Sequence, residues 1–108
     1  MITEQKLKEK GYERYKAHYD AYGDFFYQKK FTDKTGIKYF VNIIHHPPLN
    51  INGGSVMAES WSAKMTVNDP YMEFEMHWIQ SKSVGHVEKK MKTFWEAMGK
   101  HYYEKYNR

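Results

Sequence analysis

The feature that most constrains the fold is a change of hydrophobic period in the last third of the sequence. Between Tyr71 and Ile79 apolar and polar residues alternate, which is the pattern of a strand with one buried and one wet face. From Val84 onward the apolar residues recur at helical spacing. The apolar residues of the two patterns are Met72, Phe74, Met76 and Trp78, then Val84, Val87, Met91, Phe94, Trp95, Met98 and Tyr102. The sequence therefore predicts a sheet followed by a helix that covers its apolar face.

The remainder of the chain extends this prediction to a whole domain. Thr3 is placed to cap a first helix that we expect to run to about Tyr19 or Tyr22. Three strands are then predicted at residues 25–32, 37–45 and 56–67, ahead of the strand at 71–79 and a last helix at 84–106. Residues 33–36 end in glycine and are predicted to form a hairpin turn. The predicted fold is α+β, a four-stranded antiparallel β-meander with N- and C-terminal helices, in a single domain of residues 1–108.

Composition narrows the functional classes. Aromatic residues make up 18% of the 108 residues, more than the predicted core needs, so several are expected at the surface or at an interface. The net charge of +4 permits binding to phosphate or to an acidic protein. The chain has no cysteine, which excludes disulfides and thiolate metal sites. With no apolar run of about 18 residues and no apolar core at its start, the chain is expected to be cytoplasmic, without membrane contact.

Few residue patterns indicate catalysis or metal binding. His45 and His46 are adjacent on a predicted strand and should point to opposite faces, so they are not expected to chelate one ion. His77 shares the outer face of its strand with Glu73 and Glu75, where a metal would bind weakly. Glu59 falls on the apolar face of the third strand, which a bulge or an edge position would explain. We expect no enzyme activity, no metal and no cofactor.

Protein binding is the first functional expectation, because surplus Tyr and Trp are typical interface anchors. Tyrosines form a stripe along the predicted first helix and surround the end of the last one. The candidate protein-binding residues are Tyr12, Tyr15, Tyr19, Tyr22, Tyr102, Tyr103 and Tyr106. They can equally pack the two helices together inside one monomer, or close on a second copy as a homodimer, and the sequence leaves these alternatives open.

Binding of single-stranded nucleic acid is the alternative expectation. Lysines cluster around the first hairpin and are interleaved with aromatic residues, and single strands are bound by stacking bases on aromatic rings beside a basic groove. The candidate nucleic-acid-binding residues are Lys29, Lys30, Lys34, Lys38 and Tyr27. The lysines are also explained as protection of an edge strand.

Two segments carry a resemblance to known proteins. The run from Phe31 to Val41, followed by the run from Phe94 to Glu104, resembles small accessory proteins of bacteriophages and mobile elements, which are hairpin-led α+β domains closing with an aromatic helix. The resemblance implies a phage-encoded inhibitor that binds a bacterial defence protein or ribonucleoprotein, as anti-CRISPR proteins do. The leading hypothesis is therefore a non-enzymatic binding protein of this kind.

Overall fold

The computed structural model describes residues 1–16, 25–51, 54–68 and 71–106. Its helical elements are α1 (Glu4–Glu9), α2 (Val84–Phe94), a π-helical turn (Trp95–Gly99) and α3 (Lys100–Tyr106). Its strands are β1 (Glu13–Lys16), β2 (Phe25–Thr32), β3 (Lys38–His46), β4 (Leu49–Ile51), β5 (Ser55–Met57), β6 (Ser60–Asn68) and β7 (Tyr71–Met76). The predicted α+β class and the C-terminal helix are confirmed.

The main sheet has five strands among the described residues, in the order β1-β2-β3-β6-β7, and every neighbouring pair is antiparallel. The prediction of four strands is therefore wrong by one. Strands β4 and β5 pair with each other in a separate two-stranded sheet that interrupts the path from β3 to β6. The central position predicted for the second strand is confirmed, since β3 lies between β2 and β6.

The additional strand replaces most of the predicted first helix. Thr3 caps α1 as predicted, accepting a hydrogen bond from the backbone N–H of Lys6 at 3.2 Å. The helix nevertheless ends at Glu9, because Gly11 adopts a φ of +89° and turns the chain back toward the sheet. Residues 13–16 then pair with β2 instead of continuing the helix. The predicted helix is thus wrong for residues 10–16. Its predicted end at Tyr19 or Tyr22 lies outside the described residues.

The predicted strand at 56–67 is divided in two. Strand β5 ends at Met57 and β6 begins at Ser60, so Glu59 lies in the break between them and is exposed, not on the apolar face. In strand β6 the residues predicted to face inward, Trp61, Ala63, Met65 and Val67, are all buried, whereas Ser62, predicted to face outward, is buried as well and contacts His46. The hairpin at residues 33–36 is confirmed, and Gly36 has the positive φ (+87°) that the turn requires.

The core lies between one face of the main sheet and the helices. Strands β3 and β6 contribute residues such as Val41, Ile43 and Met65, while α1 and α2 contribute others such as Leu7 and Val87. These side chains are completely buried, and their packing confirms the predicted layer of helix on sheet. No helix within the described ranges is long and apolar enough to cross a membrane.

Candidate protein-interaction surface

Strand β7 forms an edge of the main sheet. All six of its residues pair with β6 in one unbroken register, from Tyr71 opposite Asn68 to Met76 opposite Ala63. On its outer side β7 has no partner strand among the described residues. Alternate backbone N–H and C=O groups of such a strand point outward and can pair with another extended chain.

An apolar groove of about 460 Å³ lies between one end of β7 and the C-terminal helix. It is lined by residues of both elements: Tyr71, Met72, Glu73, Phe94, Met98, Gly99 and Tyr102. Three of these are large and well exposed, with fractional exposures of 64% for Met98, 60% for Tyr71 and 48% for Tyr102. Clustered apolar exposure of this kind marks binding sites more often than it occurs at an inert surface.

The π-helical turn directs the side chains of Met98 and Tyr102 away from the core. Lys100 donates its backbone N–H to the carbonyl of Trp95, five residues back, so this turn holds one residue more than an α-helical turn. The apolar face of the helix rotates accordingly. Trp95 and Gly99 are buried, whereas Met98 and Tyr102, which the helical spacing places with the core, are exposed. The prediction for those two residues is wrong for this reason.

Gly99 allows the wide turn to pack closely. A β-carbon at this position would lie 2.5 Å from Cε3 of Trp95 and 3.3 Å from the terminal methyl of Met72. The first distance is shorter than any real contact of a β-carbon, so only glycine fits without movement of the indole. The floor of the groove therefore depends on this glycine, a requirement that spacing in the sequence does not reveal.

The indole of Trp95 is held by a hydrogen bond across the core. Its Nε1–H donates to Oδ2 of Asp33 in the β2–β3 hairpin at 2.9 Å. Oδ1 of Asp33 accepts bonds from the backbone N–H groups of Thr35 and Ile37 and from the Thr35 hydroxyl. Partial burial acts to raise the pKa of Asp33, but these accepted hydrogen bonds outweigh it and lower the pKa to about 2. The hairpin and the helix that forms the groove are thereby tied together.

Trp78 exposes a second aromatic ring just beyond β7. The alternating pattern places it with the buried residues, but it is 62% exposed, and Ile79 is buried in its place. The cause is a φ of +58° at Trp78, which shifts the alternation by one residue. This conformation is unfavourable for a bulky residue, and such strain is frequent at functional sites. We use the term edge surface for β7, Met98, Tyr102 and Trp78 together.

The face of β7 that points away from the helices is acidic. Its predicted wet residues, among them Glu73, Glu75 and His77, are exposed, which confirms that half of the alternation. Lys64 on β6 bridges the two carboxylates, with its Nζ 3.3 Å from Glu73 and 3.2 Å from Glu75. A hydrogen bond from the Tyr71 hydroxyl and the nearby Lys64 ammonium lower the pKa of Glu73. Two carboxylates facing one lysine leave this row with a net negative charge.

The predicted protein-binding tyrosines do not form one surface. Tyr12 is a core residue at 4% exposure, and its hydroxyl donates to Oε2 of Glu88 at 3.1 Å. Burial, together with the adjacent Glu88 carboxylate, raises the pKa of Tyr12. Tyr15 is exposed and stacks on Phe26 near the opposite edge of the sheet.

The tyrosines of the last helix also divide. Tyr103 is half-buried with its ring edge-on to Trp95, so it supports the helix from within. Among the predicted tyrosines whose side chains are described, only Tyr102 lines the groove. Tyr19 and Tyr22 lie outside the described residues, as does the side chain of Tyr106.

The predicted nucleic-acid-binding residues are split between the two faces of the sheet. Tyr27 is 5% exposed and packs against Trp61, so its ring is not available to stack on a base. Lys29 lies on the same face, where its Nζ donates to the Lys10 carbonyl at 2.7 Å. These positions contradict the expectation that the two residues share an open basic surface.

The other lysines of the cluster are exposed. Lys30 and Lys38 lie on the face of the sheet away from the helices, where Lys30 is directly opposite Phe40. Lys34 lies in the hairpin turn. A groove of about 450 Å³ borders this region and is lined in part by Tyr15, Lys30 and Phe40.

The histidines do not combine into a metal centre among the described residues, where no three potential ligands lie together. His45 packs on Trp61 and pairs with Glu59 at 3.2 Å, while His46 contacts the hydroxyl of Ser62 at 2.8 Å. Because Trp61 and Ser62 are consecutive on β6, the predicted opposite orientation of the two histidines is confirmed. Burial, with smaller effects of neighbouring histidines, lowers the pKa of His46. The side chain of Glu59 is 55% exposed.

Comparison with protein-family models, with curated proteins and with solved structures gives no match for this chain. The interpretation of the edge surface therefore rests on its geometry. That geometry combines an outer strand edge with no partner among the described residues, an apolar groove at one end of the strand and an exposed indole just beyond its other end.

Proposed function

We propose that this chain is a non-enzymatic binding protein that contacts a partner protein through the edge surface. The observation that supports this most strongly is the apolar groove beside a strand edge that has no partner among the described residues, with Met98, Tyr71 and Tyr102 exposed around it. Tyr, Trp and Met are enriched at the centres of protein interfaces, where they fill pockets on a partner. A partner that covers the groove removes this apolar surface from water.

The class of partner follows from the sequence resemblance. The likeness of the hairpin and the last helix to phage accessory proteins suggests a bacterial defence protein or ribonucleoprotein as the target. An inhibitor of this kind acts by occupying a surface of its target and needs no catalytic residues. In this proposal the hairpin has a supporting role, because Asp33 holds the Trp95 indole beneath the helix that borders the groove.

Affinity capture of the tagged protein from bacterial lysate, with and without nuclease, tests the proposal. We expect a stoichiometric protein partner that persists after nuclease treatment and is lost when Met98→Lys places a charge in the groove. The matched control is Tyr15→Lys, which makes the same charge change at an exposed position near the opposite edge of the sheet. Capture that vanishes with nuclease, or that only Tyr15→Lys abolishes, would contradict binding through the edge surface.

A second candidate function is binding of single-stranded nucleic acid on the face of the sheet away from the helices. The placement of Lys30 directly opposite Phe40, with Lys38 on the same face, favours it. Binding to phosphates should weaken steeply as salt rises, and the double variant Lys30→Glu, Lys38→Glu should abolish it. Fluorescence titration with a labelled oligonucleotide at two salt concentrations distinguishes this function from contact with a protein. An affinity independent of salt would exclude it.

A further inference from the structure

We infer that β7 binds an extended segment of the partner as an added antiparallel strand, and that this segment alternates apolar with basic residues. The inference deepens the proposed function and rests on it. It assigns a mode of recognition to the edge surface and a chemistry to the partner. The backbone of β7 would supply affinity, while the groove and the carboxylates beside it would supply specificity.

The shape of the β7 edge is suited to strand addition. The six residues from Tyr71 to Met76 pair with β6 without a bulge and contain no proline, so neither of these common means of blocking an edge is present. At about 3.3 Å per residue the strand spans about 20 Å, which is the length of an extended segment of about six residues. Strand β1, at the other end of the sheet, has four residues within the described part of the chain.

Charged side chains commonly protect the edge of a sheet, but those of β7 pair with a lysine on the neighbouring strand β6. The carboxylates of Glu73 and Glu75 are both within 3.3 Å of the Lys64 ammonium, which lies on the inner neighbour β6. One oxygen of each carboxylate thus faces β6, while the second oxygen of Glu75 lies 3.1 Å from Nε2 of His77. The net negative charge of the carboxylates remains beside the path of an added strand, where cross-strand neighbours of opposite charge stabilise pairing and like charges oppose it. A basic residue at each position next to this row complements it.

The opposite row of β7 favours apolar partners. Met72, Phe74 and Met76 are half-buried on the helix side, and Phe74 stacks on Phe94 with ring centroids 3.9 Å apart. The groove opens beside Met72 and is bordered by Met98. Side chains alternate between the two faces of a strand, so a segment whose basic residues meet the acidic row directs its intervening residues toward this apolar side.

The same charges disfavour a second copy of this chain as the occupant. Two-fold antiparallel pairing of β7 that keeps the apolar rows on one face allows two registers of five residue pairs. One places Phe74 opposite its equivalent and therefore sets Glu73 against Glu75 twice; the other sets Glu73 against its own equivalent. Like charges directly opposite each other destabilise a strand pair. A separate protein with basic residues is the better complement.

Hydrogen exchange of the ¹⁵N-labelled full-length chain, followed by NMR, tests the inference with two synthetic probes. One is an end-capped eight-residue peptide alternating lysine and valine, and the other is the same peptide with glutamate in place of lysine. We expect the basic peptide to slow exchange of alternate β7 amides and to bind about tenfold more tightly than the acidic one. The double variant Glu73→Gln, Glu75→Gln should remove this preference, whereas Tyr15→Lys should leave it unchanged.

Several outcomes overturn the inference. Absence of protection at β7 with both peptides, or protection of β1 amides instead, excludes strand addition at this edge. Equal binding of the two peptides excludes the basic partner. Sedimentation that shows a dimer of the wild type, dissociated by Met98→Lys, assigns the edge to a second copy. If a partner is captured in a Met98-dependent manner but the β7 amides are not protected, strand addition is refuted and the proposed protein binding stands. If no partner is captured although the peptide protects the β7 amides, the proposed protein binding alone is refuted.

Discussion

Replacing Gly99 by alanine places a methyl group against the buried ring of Trp95. The ideal β-carbon lies 2.5 Å from Cε3 and 3.1 Å from Cζ3 of the indole, whereas carbon atoms pack best at about 3.5–4.0 Å. The ring has little room to retreat, because its Nε1–H is bonded to Asp33 and its faces and edge pack against Tyr39 and Tyr103. Relieving an overlap of about 1 Å must therefore move the helix or break that bond.

The expected magnitude combines two opposing effects. Overpacking a core typically costs about 1–3 kcal/mol, and the severity of this overlap places the cost near the upper end. Alanine regains about 1 kcal/mol over glycine through its helix propensity. The free energy of unfolding should therefore fall by about 2 kcal/mol, which lowers Tm by about 10 °C in a domain of this size.

Gly85 provides the matched control in the same helical segment. A β-carbon there would meet only the terminal amine of Lys10, at 3.9 Å, which is ordinary contact. Gly85→Ala should therefore stabilise the protein by up to about 1 kcal/mol. Urea and thermal unfolding followed by circular dichroism measure both variants. If Gly99→Ala stabilises the protein as much as Gly85→Ala does, the close packing of the π-helical turn on Trp95 is refuted.

Three further predictions concern the hairpin, the exposed indole and the buried tyrosine. Because the pKa of Asp33 falls from 3.8 unfolded to about 2 folded, its stabilisation is complete above pH 3.8 and is lost as pH falls toward 2. Asp33→Asn should lack this part of the acid sensitivity in urea unfolding at pH 5 and pH 2.5; an unchanged difference between the two pH values would contradict it. Trp78→Gly should alter the free energy of unfolding by less than about 1 kcal/mol, because the relief of backbone strain at φ +58° offsets the greater conformational entropy of unfolded glycine. The same variant should weaken partner capture, because it removes an exposed indole. A loss of stability above about 3 kcal/mol would show that the ring is structural. Tyr12→Phe should cost about 1–2 kcal/mol in chemical denaturation, because the partly buried Glu88 carboxylate loses a hydrogen bond; a change near zero would argue against that bond.

Features set by neighbouring residues were predicted correctly from the sequence. The cap at Thr3, the turn ending at Gly36 and the inward-facing residues of β6 each depend on a few consecutive residues and on rules of backbone geometry. The helix that covers the sheet was likewise indicated by its period, because Val84, Val87 and Met91 repeat at helical spacing and are buried.

The candidate surface was only partly accessible to the same reasoning. Residue type indicates Tyr102 as an interface residue, although the helical spacing, like the regular period at Met98 and Trp78, places it with the core. These core assignments failed at two local irregularities: a turn one residue wider in the last helix, and a positive φ after β7. Neither irregularity has a pattern in the sequence, because each lies beside a contact with a distant residue. Trp95 in the wide turn donates to Asp33, and the backbone N–H of Ile79, next to Trp78, donates to the carbonyl of Trp61.

Local periodicity and turn chemistry thus specify the α+β class, the confirmed hairpin and the C-terminal helix. Residues 13–16 form a strand and not part of a helix because they pair with the side of β2 that faces away from β3. Tyr12 is then buried in the core beside Glu88. The outer edge of β7 and its groove likewise form only when the strands are paired in this order and the helix packs on them. The physical reason is that helix propensity is worth at most about 1 kcal/mol per residue, which burial of a single large side chain outweighs.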